Sequence, residues 1–237
     1  EEFYDCDGNC LNDADGDGEC DELEPVEFQC GDPLEYQGYD YATVLIGEQC
    51  WFAENLRTAA YRNGDAIPNL QSSVEWQNAS YGAWAAYGNN SGQEDVYGKL
   101  YNWYAVDDAR GLCPSGWHVP TDGEYMTLEM ALGMSEAEAN STGWRGSLAA
   151  VGSQLKSSPS DDPSWNGTNT SGFSALAGGN RNSSGNFNGE GDDGYFWSSS
   201  PDGANAWSRE LYSGNTVVSR GNYNQRYGFS VRCVRDE

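Results

Sequence analysis

Much of what this chain offers for a core is rings, with 9 Trp, 15 Tyr and 7 Phe against few long aliphatic runs. Rings pack edge-to-face or offset against one another at varied angles, and abundant Gly, Asn and Ser between them mark turns and long ordered loops. That combination excludes a helical bundle. It also excludes a disordered chain, because disorder goes with a shortage of aromatics. At 237 residues there is room for one good-sized domain and a small appendage.

The pattern changes along the chain. Residues 1–24 are polar, Cys- and Asp-rich, with almost nothing to bury, and Pro25 to Pro33 reads as a linker. Tyr41–Ile46 and Gln49–Ala53 read as two strands joined by Gly47-Glu48. Residues 60–98 are turn-rich, and Tyr101–Val106 is either a strand or a helical turn. Thr121 is a good N-cap, and Glu124 completes a capping box with it. Tyr125, Leu128 and Leu132 follow at helical spacing, and Gly133 ends the helix. Ser135 and Glu138 repeat the capping pattern for a second, shorter helix. Residues 157–194 read as a long Gly/Asn/Ser/Asp loop, of the kind that carries function or a metal tie. Strands return at Ala206–Tyr212, Thr216–Arg220 and Phe229–Val234, the last alternating apolar and polar residues. The expected class is α+β, divided into a calcium-binding segment and linker (1–29) and a body (30–237).

The segment from Asp13 to Glu24 fits D-x-[DN]-x-[DN]-G-x5-E at every defined position. Calcium takes six to eight oxygen ligands. The carboxylates of Asp13, Asp15 and Asp17 converge because Gly18 permits a sharp turn. The carbonyl of Glu19 adds another ligand, Asp21 acts directly or through water, and Glu24 closes the shell. The expected cofactor is therefore Ca2+. Gly8 and two cysteines before the loop and Pro25 after it leave no place for the helices of a sensor hand. The loop instead resembles the isolated calcium repeats of dockerins and thrombospondin type 3 segments, which are extracellular and structural.

Charge and cysteine content point the same way. The formal net charge is −25, and no Lys or Arg precedes Arg57, whereas 17 Asp and Glu do. Such a front end repels nucleic acid and anionic lipid and attracts divalent cations. Seven Cys without a C-x-x-C pair, and a single His, favour disulfides in an oxidising compartment over a zinc site. No membrane-inserting run is present. Beginning at Glu1-Glu2, the sequence reads as a mature product or a fragment.

Six blocks resemble the Fibrobacter succinogenes major paralogous domain family: Gly38-Tyr-Asp-Tyr-Ala-Thr-Val-Leu-Ile46, Trp51-Phe-Ala-Glu-Asn-Leu-Arg57, Gly98-Lys-Leu-Tyr-Asn-Trp-Tyr104, Cys113-Pro-Ser-Gly-Trp-His-Val-Pro-Thr121, Phe196-Trp-Ser-Ser-Ser200 and Gly228-Phe-Ser-Val-Arg-Cys-Val-Arg235. Parts of the fourth and sixth also resemble the sulfatase-modifying-factor branch of the C-type lectin fold. The resemblance implies a C-type-lectin-like body with two helices, a twisted antiparallel sheet and long loops, found in surface or secreted proteins of Bacteroidota-like bacteria. It also implies that Cys113 pairs with Cys233; Cys30 with Cys50 is the next most natural pair. Cys6, Cys10 and Cys20 then remain, so one is free or bonds a neighbouring chain.

Inherited chemistry is not expected. Formylglycine-generating relatives need a reactive Cys pair near their C-terminal strands, and Cys233 is the only Cys after Cys113. The Glu-Pro-Asn and Trp-Asn-Asp calcium ligands of sugar-binding lectins are absent. His118 has no evident partner and reads as a packing residue. Glu190, Asp192, Asp193 and Asp202 form either a second calcium site or a solvated turn. Trp76, Trp84, Trp165 and Trp207 are available to stack on sugars, but read as buried. The leading expectation is a non-enzymatic extracellular or cell-surface structural module, calcium-stabilised, that self-associates into a homo-oligomer, layer, appendage or filament. The alternatives are an adhesion module for an extracellular glycan or protein and, behind it, a polysaccharide hydrolase using Asp192 or Asp193.

Overall fold

The hairpin read from Tyr41 onward forms as expected. In the computed structural model, which describes residues 28–236, a ribbon of β1 (Leu34–Tyr36) and β2 (Tyr39–Tyr41) leads into β3 (Thr43–Ile46) and β4 (Gln49–Phe52). The β3–β4 register runs from Thr43 opposite Phe52 to Ile46 opposite Gln49. Gly47 turns the chain at φ 63°, a conformation that two-residue hairpin turns demand and that glycine adopts without strain.

The turn-rich stretch holds two helices that the sequence reading missed, α1 (Ser73–Asn78) and α2 (Ser91–Tyr97), on either side of β5 (Trp84–Ala85). Neither has an apolar period to read, since α1 buries only Trp76 and α2 buries nothing. Their caps, Ser72 and Asn90, accept from the backbone amides of Glu75 and Gly92. The ambiguous Tyr101–Val106 is both things at once. β6 (Leu100–Asn102) runs straight into α3 (Trp103–Val106), and Asn102 caps the helix it precedes.

After β7 (Trp117–His118) come the two expected helices, α4 (Asp122–Ala131) and α5 (Glu136–Ala139), each with a complete capping box. β8 (Gly143–Arg145) and a short α6 (Val151–Leu155) follow. The described residues thus hold six helices rather than two. The expected long loop is also partly ordered into a hairpin, β9 (Gly178–Arg181) with β10 (Phe187–Glu190). A meander of β11 (Asp193–Asp202), β12 (Asn205–Tyr212) and β13 (Val218–Asn224) comes next.

The last expected strand divides. β14 (Gly228–Phe229) sits between β6 and β9 in a nine-stranded sheet, whereas β15 (Val234–Arg235) sits between β4 and β7 in a four-stranded one. The chain therefore changes sheets between Phe229 and Val234. The pairing is antiparallel throughout except where β9 and β11 run parallel. These observations establish an α+β body.

The core is built of rings, as the composition required. One cluster gathers Tyr41, Phe52, Trp103, Trp117, Trp197 and Phe229, a second gathers Trp51, Tyr125, Phe173 and Phe196 with Leu211 and Val218, and a smaller third sets Trp76 against Leu70 and Ala85. Tyr41 stacks on Phe52 at 4.6 Å and Trp197 meets Phe229 at 4.3 Å between centroids. Two disulfides, Cys30–Cys50 and Cys113–Cys233, join distant parts of this core. The first ties down the described end of the linker, where the Phe28 ring also meets Trp117 edge-on at 5.6 Å. Residues 28–33 are thus docked on the body and do not act as a spacer.

Candidate functional site

Asp13, Asp15, Asp17, Glu19, Asp21 and Glu24, together with Cys6, Cys10 and Cys20, lie outside the described residues. Of the other acidic cluster, the fold makes two separate places. Asp193 and Asp202 stand at opposite ends of the ten-residue strand β11, on the order of 30 Å apart at the usual strand rise. Asp202 accepts from Asn222, and Asp192 accepts from the Ser213 hydroxyl at 3.0 Å. Among the described residues no group of three or more His, Cys, Asp or Glu is placed to hold a metal.

Asp193 opens β11, and Asp192 directly precedes it. The carboxylate that Asp193 faces is Glu210, which the sequence reading did not single out. Tyr195 pairs with Glu210 across the sheet, so Asp193, two residues earlier, shares that face. Glu210 accepts from the hydroxyls of Tyr195 and Tyr223, both at 3.1 Å. Partial burial, followed by the charges of Glu210 and Asp192, pushes the Asp193 carboxyl up to about 6. The sequence signal that was present is the alternation Asp193-Gly-Tyr195, which places an acid and a ring on one side of a strand.

His118 has partners after all. Its Nε2 lies 2.7 Å from Glu124 and its Nδ1 lies 2.6 Å from Asp236. The bond to Glu124 first, and that to Asp236 after it, lift the imidazole from its ordinary 6.5 to about 9. A raised folded-state value contributes stability that is complete below about pH 6.5 and is lost as pH rises through about 9. The ring is more than a third exposed, so solvent screens the effect. Thermal midpoints measured from pH 6 to 10 should therefore fall gently across this window. His118→Gln should flatten that fall; an unchanged slope would show that the bridge carries no stability.

The most general property of the surface is the fate of the cations. All 12 Lys and Arg lie within the described residues, and six of them are buried: Lys99, Arg145, Lys156, Arg181, Arg209 and Arg232. Arg232 donates to Asn55 Oδ1 and to the carbonyls of Phe52, Phe173 and Ser174. Arg181 donates to the carbonyls of Leu70, Gln71 and Gly185, and Lys156 to those of Tyr212 and Asn215. The exposed cations are engaged as well. Arg62 donates to the carbonyls of Cys113 and Trp117, Arg110 bridges Asp65 and Asp108, and Arg235 lies 5.0 Å over the Phe28 ring. The exterior is consequently acidic, with hardly a free positive group.

Against that acidic exterior stand a few large apolar side chains. Leu148 is 96 % exposed and Trp144 is 48 % exposed, with Leu45 and Met130 also open to solvent. A methyl placed on Gly133 would lie 3.2 Å from Ala149, and one on Gly47 would lie 2.8 Å from Ala131. The end of α4 therefore fits closely against both the 146–150 turn and the β3–β4 turn. Met130 and Leu148 thus stand at the same end of α4, whereas Leu45, between the core-facing Val44 and Ile46, and Trp144, next to Arg145 on the terminal strand β8, point to the opposite faces of their strands. Trp76, Trp84 and Trp165 are buried as expected. Trp207 is half-buried under Arg220, whose guanidinium lies 4.3 Å from its ring. Trp144 was overlooked because nothing in its neighbourhood marks an exposed ring.

A disulfide-tied α+β body with an acidic exterior defines the class. The chain belongs to the Fibrobacter succinogenes major domain family, whose family model matches residues 44–235. No curated protein and no solved structure matches it. The two disulfides point to a non-cytoplasmic setting, and no helix among the described residues is long and apolar enough to cross a membrane.

Proposed function

We propose that this chain is a non-enzymatic structural module of the bacterial cell exterior, in which copies associate side by side into a layer, appendage or filament. The exposure of Leu148, with Met130 at the same end of α4 and Trp144 on a terminal strand, is the observation that carries this reading. Large apolar side chains left open on an otherwise acidic exterior offer contact points to a neighbouring copy. The body is read as C-type-lectin-like, and the Asp13–Glu24 loop as a Ca2+ site that stiffens the N-terminal end.

Charge gives the association its condition. With cations drawn inside, two copies approach as polyanions and repel until counterions screen them. Divalent cations do this at low concentration, whether held in the N-terminal loop or gathered diffusely. Assembly is therefore expected to require calcium. Sedimentation and negative-stain microscopy with calcium should show polymers or ordered oligomers, and a chelator should return monomers. The double substitution Leu148→Asp and Trp144→Asp should leave the fold intact and the protein monomeric with calcium present. Wild-type protein that stays monomeric at all calcium levels would sink the proposal.

A further inference from the structure

We infer that the cleft between the Ala53–Arg57 segment and the loops from Ser157 to Leu176 binds a neutral, hydroxyl-rich sugar ring at the end of a glycan. The cleft measures about 200 Å³, smaller than the roughly 300–1,000 Å³ of drug-sized sites, which limits an occupant to a single ring. It goes beyond the assembly reading, and Met130, Trp144 and Leu148 are not among the residues that line it.

Its free hydrogen-bonding groups select the ligand. Arg57 is anchored by Nη1 on the carbonyls of Glu94 and Asp95, both at 2.8 Å, and stacks 4.7 Å over the Tyr39 ring. Its Nε is buried without a partner. Ser157 is 1 % exposed, lines the same cleft, and its hydroxyl also lacks a partner. A buried polar group left unmade costs free energy, so two of them on one cleft mark places for a ligand's polar atoms. Asp162 adds an exposed carboxylate at the rim. Pro163, Val96 and Leu176 supply apolar wall.

The other carboxylates are occupied. Glu54 accepts from the Tyr39 hydroxyl at 2.6 Å and the Ala42 amide at 2.9 Å, and Asp161 accepts from the Ser158 amide at 2.7 Å and Asn169 at 2.9 Å. Three carboxylates against one guanidinium disfavour an anion. A metal is disfavoured because the acids are already satisfied by protein donors. A donor, a hydroxyl and an acceptor set against apolar walls instead suit the alternating hydroxyls and C–H faces of a pyranose. The loops are also fixed beforehand, since Arg232 holds the carbonyls of Phe173 and Ser174 and Asn169 bonds Ser174. Binding then pays little for ordering them.

Saturation-transfer NMR on monomeric protein in chelator, with a panel of methyl glycosides of the common hexoses and N-acetylhexosamines as the probe, tests this. At least one glycoside should take up saturation. Ser157→Ala and Asp162→Ala should each weaken it roughly fivefold, the loss expected for one hydrogen bond, while Trp144→Ala leaves it unchanged. Ser157→Ala removes an unpartnered hydroxyl and so does not threaten the fold, which near-UV circular dichroism checks. Absence of transfer to every glycoside, or transfer indifferent to both cleft substitutions, overturns the inference. Because the protein is monomeric, neither result depends on whether copies assemble.

Discussion

Replacing Glu129 with alanine should lower folding stability by about 3–5 kcal/mol, as much as truncating an aromatic ring of the apolar core. Glu129 lies on α4 and is completely buried. Its Oε2 accepts from Arg145 Nη2 and its Oε1 from Arg209 Nε, both at 2.6 Å. Arg209 also binds Asp122 at 2.7 Å, and Arg220 binds the same carboxylate at 2.6 Å. Four elements, α4, β8, β12 and β13, are thus joined by five charges. Without Glu129, the buried Arg145 keeps no acid at all, and Arg209 shares Asp122 with Arg220. The loss arises from stranding charge rather than from forfeiting attraction. The combined substitution Glu129→Leu, Arg145→Met and Arg209→Leu should therefore recover much of the stability that Glu129→Ala loses. Urea unfolding of both variants decides the matter. A triple variant less stable than the single one would show that the network stabilises by net attraction.

The second large effect is expected from Cys113→Ser with Cys233→Ser. The bridge closes a loop with a sequence separation of 120, and chain-entropy accounting gives about 4.7 kcal/mol for a loop of roughly that size. Both cysteines are essentially inaccessible, at 1 % and 0 % exposure, so serines there also lodge hydroxyls in an apolar core. Denaturant midpoints with and without the bridge give the total. Ala–Ala in place of Ser–Ser separates the entropy from the buried hydroxyls. A loss below about 1 kcal/mol would mean that the unfolded chain is already held compact by other means.

How much of this was legible depends on whether a feature is local. Thr121-x-x-Glu124 and Ser135-x-x-Glu138 announced α4 and α5 because a capping box is written within four residues. The β3–β4 hairpin was equally plain. The short helices α1, α2 and α6 were invisible, since helices of five to seven residues are too brief to show a 3.6-residue period. Glu129 looked like an ordinary member of a polar face, because its partners Arg145 and Arg209 come from strands far along the chain. His118 looked solitary for the same reason, with Asp236 at the other end of the body. The cleft depends on Arg57 Nε and the Ser157 hydroxyl remaining unpartnered, a property of the folded arrangement that no spacing encodes. Conversely the Asp13–Glu24 loop was the clearest pattern in the sequence, and it lies beyond the residues described.

The change of sheets near Phe229 has a consequence for how the two sheets are completed. β14 and β15 are interior strands of different sheets, and between them lie Arg232 and Cys233, both wholly buried. Without these few residues β6 and β9 have no common neighbour, and β4 and β7 none either. The two sheets therefore share one closing segment, and removing Gly228–Arg235 would open an interior edge in both at once.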